Sequence, residues 1–95
     1  MRNTHETQRG EYIMSKIKFE VIRDFDGNVD GYKLGDWYLM KHYYWDNEYS
    51  WIINQTGRGF YGHYEFHKAL ESGEISIVGS CKEGKQRLIE LQNAN

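Results

Sequence analysis

The feature that most constrains the fold is a strict alternation of apolar and polar residues that runs directly into a cluster of turn-forming residues. In KIKFEVIRD, residues 16–24, the side chains of Ile17, Phe19 and Val21 fall on one side of an extended chain. A period of two residues is typical of a half-buried β-strand. DFDGNVDG, residues 24–31, follows with two Asp-Gly pairs, which are strong hairpin signals. The sequence therefore predicts an antiparallel sheet that begins with a hairpin.

Two further segments carry a strand pattern, and a short polar stretch separates them. YKLGDWYLMKHYYW, residues 32–45, is predicted to be one long strand. EYSWIINQ, residues 48–55, is rich in the aromatic and β-branched residues that suit a sheet. Asp46 and Asn47 between them are residue types that turns prefer. These segments extend the predicted sheet to three strands.

One helix is predicted, over residues 63–72. Phe66, Ala69 and Leu70 have the i, i+3, i+4 spacing of a buried helical stripe. Gly73 follows them and suits the residue just beyond a helix end. We expect this helix to cover one face of the sheet.

The C-terminal part begins with another predicted strand, EISIV, at residues 74–78. The tail over residues 80–92 is compatible with two structures. Ser80 and Glu83 have the spacing of a capping box, which would start a helix. Gly84 disfavours a helix, however, and Glu83-Gly84 between lysines fits a hairpin turn, which is the interpretation we favour. The predicted fold is α+β, a small antiparallel sheet in the order β-β-β-α-β-β with one helix packed on one face.

The N-terminal stretch differs from the rest of the chain. Residues 1–13 are polar and lack periodicity, which is typical of a disordered arm. Their Arg-Gly-Glu sequence is also what a purine-rich bacterial ribosome-binding site would encode if it were translated. We therefore expect the natural start at Met14. Residues 14–95 are predicted to form a single compact domain, because a chain of this length has room for one core.

Charge and cysteine content narrow the class of protein. The formal net charge of −2 gives no overall basic field for nucleic acid or anionic membranes. Cys81 is the only cysteine, which excludes an intrachain disulfide and the disulfide framework of many secreted domains. The sequence contains no signal-peptide pattern and no long apolar run. We expect a protein of the bacterial host cytoplasm that does not enter membranes.

The polar segment after the first strand has part of the spacing of a calcium loop. Asp26, Asn28 and Asp30 occupy alternate positions, and Gly31 follows where a calcium loop needs its sharp turn. The bidentate carboxylate that closes such a loop is missing, because Asp36 stands one residue early. A strand rather than a helix precedes the segment. We interpret it as a turn and predict no metal site, with Asp26, Asn28, Asp30 and Asp36 as the ligands if calcium does bind.

Three other features suggest chemistry only weakly. His63 and His67 share a helix face, but their spacing lacks the glutamate of the zinc-peptidase motif. Cys81 is a single thiol, and the sequence identifies no base that would activate it as a nucleophile. GRGFYG, residues 57–62, matches neither phosphate-binding glycine motif. We expect no enzymatic activity and no cofactor.

The aromatic content is the strongest pointer to function. The chain has fifteen aromatic residues, and eleven of them lie between residues 37 and 66. One helix cannot cover both faces of so aromatic a sheet, and exposed tyrosine and tryptophan are typical of recognition surfaces. The predicted partner-binding residues are Tyr38, Tyr44, Trp45, Asp36, Asp46 and Glu48.

Two classes of partner compete for this surface. Residues 20–48 hold seven acidic side chains against three basic ones, so a protein partner with a basic surface is favoured. The alternative is single-stranded nucleic acid stacked on an aromatic sheet, and a homodimer is a third arrangement. In general character the chain resembles short bacteriophage and mobile-element proteins, which implies a small inhibitor that binds and blocks a host protein.

Overall fold

The structure, a computed structural model, describes residues 17–43, 48–60 and 62–94. Within these ranges, five strands form one antiparallel sheet in which neighbours in sequence are neighbours in space, and two helices accompany it. In chain order the elements are β1 (Glu20–Arg23), β2 (Val29–Leu34), β3 (Trp37–Tyr43), β4 (Tyr49–Asn54), α1 (Gly62–Ser72), β5 (Ser76–Val78) and α2 (Cys81–Asn93). The α+β class and the antiparallel sheet are confirmed, while the order of elements differs from the predicted one.

The first turn forms as predicted between β1 and β2. An Oδ1 atom of Asp24 accepts hydrogen bonds from the backbone N–H groups of Asp26 and Asn28, each at 2.9 Å. Asp24 and Asn28 are also joined through their backbones at 2.9 Å. An aspartate that caps its own turn in this way is the usual reason for aspartate in such a segment. The ladder is irregular between Ile22 and Arg23, and β1 is shorter than the predicted strand.

The predicted strand over residues 32–45 is in fact broken into two. Gly35 and Asp36 make a two-residue turn, and Leu34 pairs with Trp37 across it. Gly35 has a φ of 62°, a left-handed conformation that glycine adopts at little cost. A Gly-Asp pair is a recognised hairpin turn, but here it lies inside an almost unbroken aromatic and aliphatic run. The sheet therefore gains a strand that the prediction did not include.

The predicted C-terminal hairpin is wrong, because this segment forms helix α2. The Ser80 Oγ atom accepts from the Glu83 N–H at 3.1 Å, and Glu83 Oε1 accepts from the Gly79 N–H at 3.2 Å. These two bonds satisfy backbone donors at the helix start. Gly84 is buried, and a Cβ atom there would overlap the side chain of Leu39. The glycine is present because α2 approaches the sheet closely, and it does not mark a turn.

The core lies on both faces of the sheet. Leu39 and Ile53 form one cluster with Leu88 of α2, and burying aliphatic side chains of this size stabilises the fold by about 2 kcal/mol each. Their neighbours Met40 and Ile52 point the opposite way. Ile52 packs there with Phe60, Phe66, Ala69 and Ile75, the second and third of which come from α1. The predicted helix over 63–72 is confirmed within one residue. Among the described residues, no helix has both the length and the apolar character needed to span a membrane.

Candidate interaction surface

A band of aromatic side chains continues from the α2 side of the sheet beyond the end of the apolar core. The cross-strand pairs on this side are Leu39 with Ile53, Lys41 with Trp51, and Tyr43 with Tyr49. Because side chains two apart point to the same side, all three pairs share one face. We call this surface the aromatic face and define it as Phe19, Tyr32, Lys41, Tyr43, Tyr49, Trp51 and Lys85.

The rings of the aromatic face contact one another in an unbroken series. The ring centroids of Tyr43 and Tyr49 are 5.2 Å apart, and Tyr49 meets Trp51 edge to face at 5.7 Å. Trp51 and Tyr32 stack at 6.3 Å, and Tyr32 meets Phe19 at 6.4 Å. These separations lie within the range at which aromatic pairs attract. Each ring is therefore held by its neighbours on a sheet whose backbone is already fixed.

Exposure increases along the series from the core to the sheet end. Trp51, Tyr32 and Phe19 are half-buried and contact the Leu39 cluster. Tyr43 and Tyr49 keep 48% and 40% of their surface exposed. α2 lies over the other end of this face and leaves these two tyrosines open to a partner.

Two lysines lie over the rings of the aromatic face. The Lys41 Nζ atom is 4.9 Å from the Tyr49 ring centroid and 5.7 Å from that of Trp51. The Lys85 Nζ atom, from α2, is 4.1 Å from the Tyr32 centroid and 5.5 Å from that of Phe19. These are cation–π distances. Within the described part of the chain neither ammonium group forms an ion pair with a carboxylate.

The structure does not bring together the described members of the predicted partner-binding set. Tyr38 is half-buried on the opposite face, where its ring lies against Gly57 and 5.5 Å from the Lys33 Nζ atom. Asp36 precedes β3 and Glu48 follows it, so these two exposed acids lie at opposite ends of that strand. The other three members, Tyr44, Trp45 and Asp46, lie outside the described residues.

Sequence reasoning missed the tyrosines that the structure exposes. Alternation places Tyr43 on the side of Leu39 and Tyr38 on the opposite side, and the predicted partner-binding set contains Tyr38 and not Tyr43. The signal that identifies the surface is the pairing of Tyr43 with Tyr49 and of Lys41 with Trp51. This pairing depends on the register of β3 and β4, which the sequence alone does not give.

The calcium candidates are divided between two turns. Asp26 and Asn28 belong to the β1–β2 turn, which Asp24 organises, while Asp36 belongs to the next turn at the other end of β2. Asp30 lies in β2 between them. In the ranges that the structure describes, no three or more histidine, cysteine or acidic side chains form a group that could hold a metal ion.

The three histidines in the described residues, His42, His63 and His67, lie on the α1 side of the sheet. The His42 ring stacks on the Phe66 ring with centroids 4.0 Å apart and planes 3° from parallel. Burial lowers the pKa of His42, and the nearby His63 lowers it further. His63 and His67 are exposed on α1 with ring centroids 6.3 Å apart. The geometry gives His42 a packing role next to the core.

The glycine-rich connection after β4 is held by a charged pair. Arg58 donates to both carboxylate oxygens of Glu74, at 2.7 and 3.0 Å, and its guanidinium lies 4.3 Å from the Phe60 ring centroid. The hydrogen bond from Arg58 lowers the pKa of Glu74. The segment thus ties the end of β4 to the start of β5. Cys81 begins α2 and is half-buried against the Leu39 cluster.

A groove of about 870 Å³ runs between α2 and the β5 side of the sheet. Trp37, Ile53, Val78 and Leu91 supply its apolar lining, and Arg87 with Glu90 is among its polar lining residues. The Trp37 indole N–H is buried and finds no acceptor among the described residues. The groove is separate from the aromatic face, because none of the residues that define that face lines it.

The described residues give the aromatic face the chemistry of a binding surface, with large ring area, polar hydroxyl tips and two positive charges. No family model, curated protein or solved structure matches the chain. Its function is therefore inferred from the aromatic face alone.

Proposed function

We propose that this protein works by binding another protein through the aromatic face, without a reaction of its own. The observation that carries the proposal is the exposure of Tyr43 and Tyr49, 48% and 40%, at the open end of a series of rings anchored in the core. Tyrosine and tryptophan are enriched among the few residues that carry most of the binding energy of protein interfaces. Such rings bury a large area while fixing few side-chain torsions.

The anchoring of the rings supports this proposal energetically. A partner that covers Tyr43 and Tyr49 does not have to order them first, because cross-strand and ring contacts already hold them. Association is weakened by every flexible side chain that it immobilises, by about 0.5–1.5 kcal/mol each. A preorganised pair of tyrosines largely avoids that loss.

Single-stranded nucleic acid is the competing class of partner. The observation in its favour is the presence of Lys41 and Lys85 on an aromatic sheet face. A strand of phosphates binds along a line of basic residues, however, and these two lysines are the cations of the aromatic face. A phosphate track also needs more positive charge than a chain of net charge −2 provides. A protein partner is therefore the better match.

The test is affinity capture from bacterial lysate with the tagged full chain, with and without nuclease. The double variant Tyr43→Ala with Tyr49→Ala should lower recovery of the dominant captured protein by more than about tenfold, because each tyrosine is expected to be a hot spot. The matched control is Tyr64→Ala, since Tyr64 is 77% exposed on α1 and also lies under a lysine, Lys68. Circular dichroism establishes that each variant is folded.

The proposal predicts that nuclease leaves the captured protein unchanged and that the Tyr64 variant retains it. Recovery that disappears with nuclease would replace the proposal with nucleic-acid binding. Equal recovery by the Tyr43/Tyr49 variant and the parent chain would show that the aromatic face is not the interface. Inhibition of a host protein and formation of a homodimer stay predictions. They are checked by assaying the captured protein and by the solution mass of the chain.

A further inference from the structure

We infer that the aromatic face recognises an acidic protein segment, an inference that rests on the proposed function. Lys41 and Lys85 are part of this face and lie over its rings. Both positive charges are therefore presented at the surface that a partner would cover. The chemistry that complements them is a carboxylate next to an apolar or aromatic side chain.

In this region Glu20 and Asp30 are the acids that lie within the described strands, while the other described acids, among them Glu48 next to Tyr49, lie in turns or beside strand ends. Asp24 is used by the β1–β2 turn, where it accepts two backbone hydrogen bonds. Glu20 pairs in register with Lys33 on the other face, and Asp36 lies in the turn at the far end of β3 from Tyr43. Of the acids in the described part of β1 to β4, Asp30 shares the side of Tyr32 by strand alternation. Among the described residues, the aromatic face thus holds the two lysines Lys41 and Lys85, and Asp30 shares its side of the sheet, in a chain of net charge −2.

This placement changes the expected charge of the partner's binding surface from basic to acidic. The acidic composition of residues 20–48 predicts a basic partner surface, because composition alone places acids and rings together. In the fold the Asp24 carboxylate accepts hydrogen bonds from its own turn and Asp36 lies at the far end of β3 from Tyr43, while α2 adds Lys85 from a distant part of the sequence. Complementary charges steer encounter and penalise partners of the wrong sign. We therefore assign an acidic partner to this face.

Binding of a carboxylate also frees the ring surfaces for the rest of the partner. An ammonium group that turns towards a carboxylate gains a charge-assisted hydrogen bond in place of its cation–π contact. The ring that it leaves can then pack against an apolar side chain next to the acid. Lys41 covers both Tyr49 and Trp51, so movement of one lysine would uncover two rings.

The test uses two blocked peptides, one of glutamates around a central tyrosine and one with lysines in place of the glutamates. Titration of each into the ¹⁵N-labelled full chain is followed by the amide resonances. We expect the glutamate peptide to shift saturably the resonances of Lys41, Tyr49, Trp51 and Lys85, and added salt to weaken this binding. The lysine peptide should leave them unchanged.

The variant Lys41→Gln with Lys85→Gln should weaken binding of the glutamate peptide by about tenfold or more. Lys68→Gln is the matched control, because Lys68 also lies over a tyrosine, with its Nζ atom 5.5 Å from the Tyr64 ring centroid. The Lys68→Gln protein should bind the glutamate peptide as tightly as the parent chain does. The control separates the loss of two particular charges from a general change in net charge.

Binding of the lysine peptide at the same resonances would overturn the acidic assignment and leave the proposed protein-binding function standing. A thymidine oligonucleotide that shifts these resonances while both peptides fail would overturn both. The assignment would also be overturned if none of the three probes shifted these resonances. The same holds if the Lys41/Lys85 variant bound the glutamate peptide as tightly as the parent chain does.

Discussion

At the scale of single residues, the backbone of α2 at Gly84 lies directly against the side chain of Leu39. Both residues are buried, and a Cβ atom at position 84 would overlap the Leu39 methyl groups. Glycine in a helix interior costs about 1 kcal/mol relative to alanine. In α2 this cost is offset because glycine lets the helix and the sheet approach closely.

Gly84→Ala is therefore expected to destabilise the protein by about 1–3 kcal/mol, although alanine is the better helix former. The free energy of unfolding in urea measures the effect. Gly59→Ala is the control, because a Cβ atom at Gly59 meets open space and the change should stay within about 0.5 kcal/mol. A more stable Gly84→Ala protein would show that helix and sheet are not in tight contact there.

His42 should make the fold sensitive to acid. Its pKa is lowered below the ordinary value of 6.5 by burial and by His63. As the pH falls from that ordinary value towards the lower folded pKa, the unfolded chain binds more protons than the folded chain. The free energy of unfolding therefore decreases in this window. Thermal melting at a series of pH values should show a midpoint that drops as the pH falls below the ordinary histidine pKa of 6.5.

Two variants identify His42 as the source of this acid sensitivity. His42→Phe keeps a flat ring on Phe66 and should remove much of the drop, since phenylalanine does not titrate. His67→Gln changes an exposed histidine of α1 and should retain the drop. An unchanged slope in His42→Phe would assign the acid sensitivity to another group.

At the scale of elements, α2 joins the core to the candidate interaction surface. Leu88 packs into the cluster of Leu39 and Ile53, while Lys85 lies over the rings of Tyr32 and Phe19. Both contacts depend on where the helix begins. Its start is fixed by the hydrogen bond between the Ser80 hydroxyl and the Glu83 N–H.

Ser80→Ala is expected to cost about 1 kcal/mol of stability, because it removes this N-cap. Ser80→Asp should restore most of the loss, since a carboxylate also accepts at a helix start and interacts favourably with the helix dipole. Urea unfolding of the three proteins checks the order of stability. Equal stability of Ser80→Ala and the parent chain would mean that packing alone holds the helix.

The elements that sequence reasoning predicted well are those with a local signal. The strand alternation around Phe19, the Asp-Gly turn and the stripe of Phe66 and Ala69 each depend on a few neighbouring residues. The C-terminal helix was wrongly predicted to be a hairpin, because the reason for Gly84 is a contact with Leu39, forty-five residues earlier in the sequence. A glycine needed for close packing and a glycine needed for a turn look the same in a sequence.

The candidate site was less predictable than the fold for a related reason. The composition is enough to predict that aromatic residues form part of the surface. Which rings are exposed depends on the pairing of β3 with β4 and on how far α2 extends over them. Lys85 reaches the face through tertiary packing, so no local pattern associates it with Tyr32.

At the scale of the whole molecule, β3 and β4 serve both halves of the core. Leu39 and Ile53 belong to the cluster under α2, and Ile52 belongs to the cluster with Phe66 of α1. Neither helix can detach without exposing a side of the same two strands. The described part of the chain therefore behaves as one unit, and Tyr43 and Tyr49 lie at the end of the aromatic face that α2 does not cover.

The central strand has a further property that bears on misfolding. Leu39 and Met40 are both apolar and point to opposite faces. A shift of β3 by one residue against its neighbours would therefore still place an apolar side chain on each face. Gly84 leaves room for Leu39 on one face, and Gly31 leaves room for Met40 on the other. A displaced strand would bring the wrong side chain to each glycine. The two glycines therefore discriminate against misregistered pairing and widen the energy gap between the native sheet and its nearest competitor.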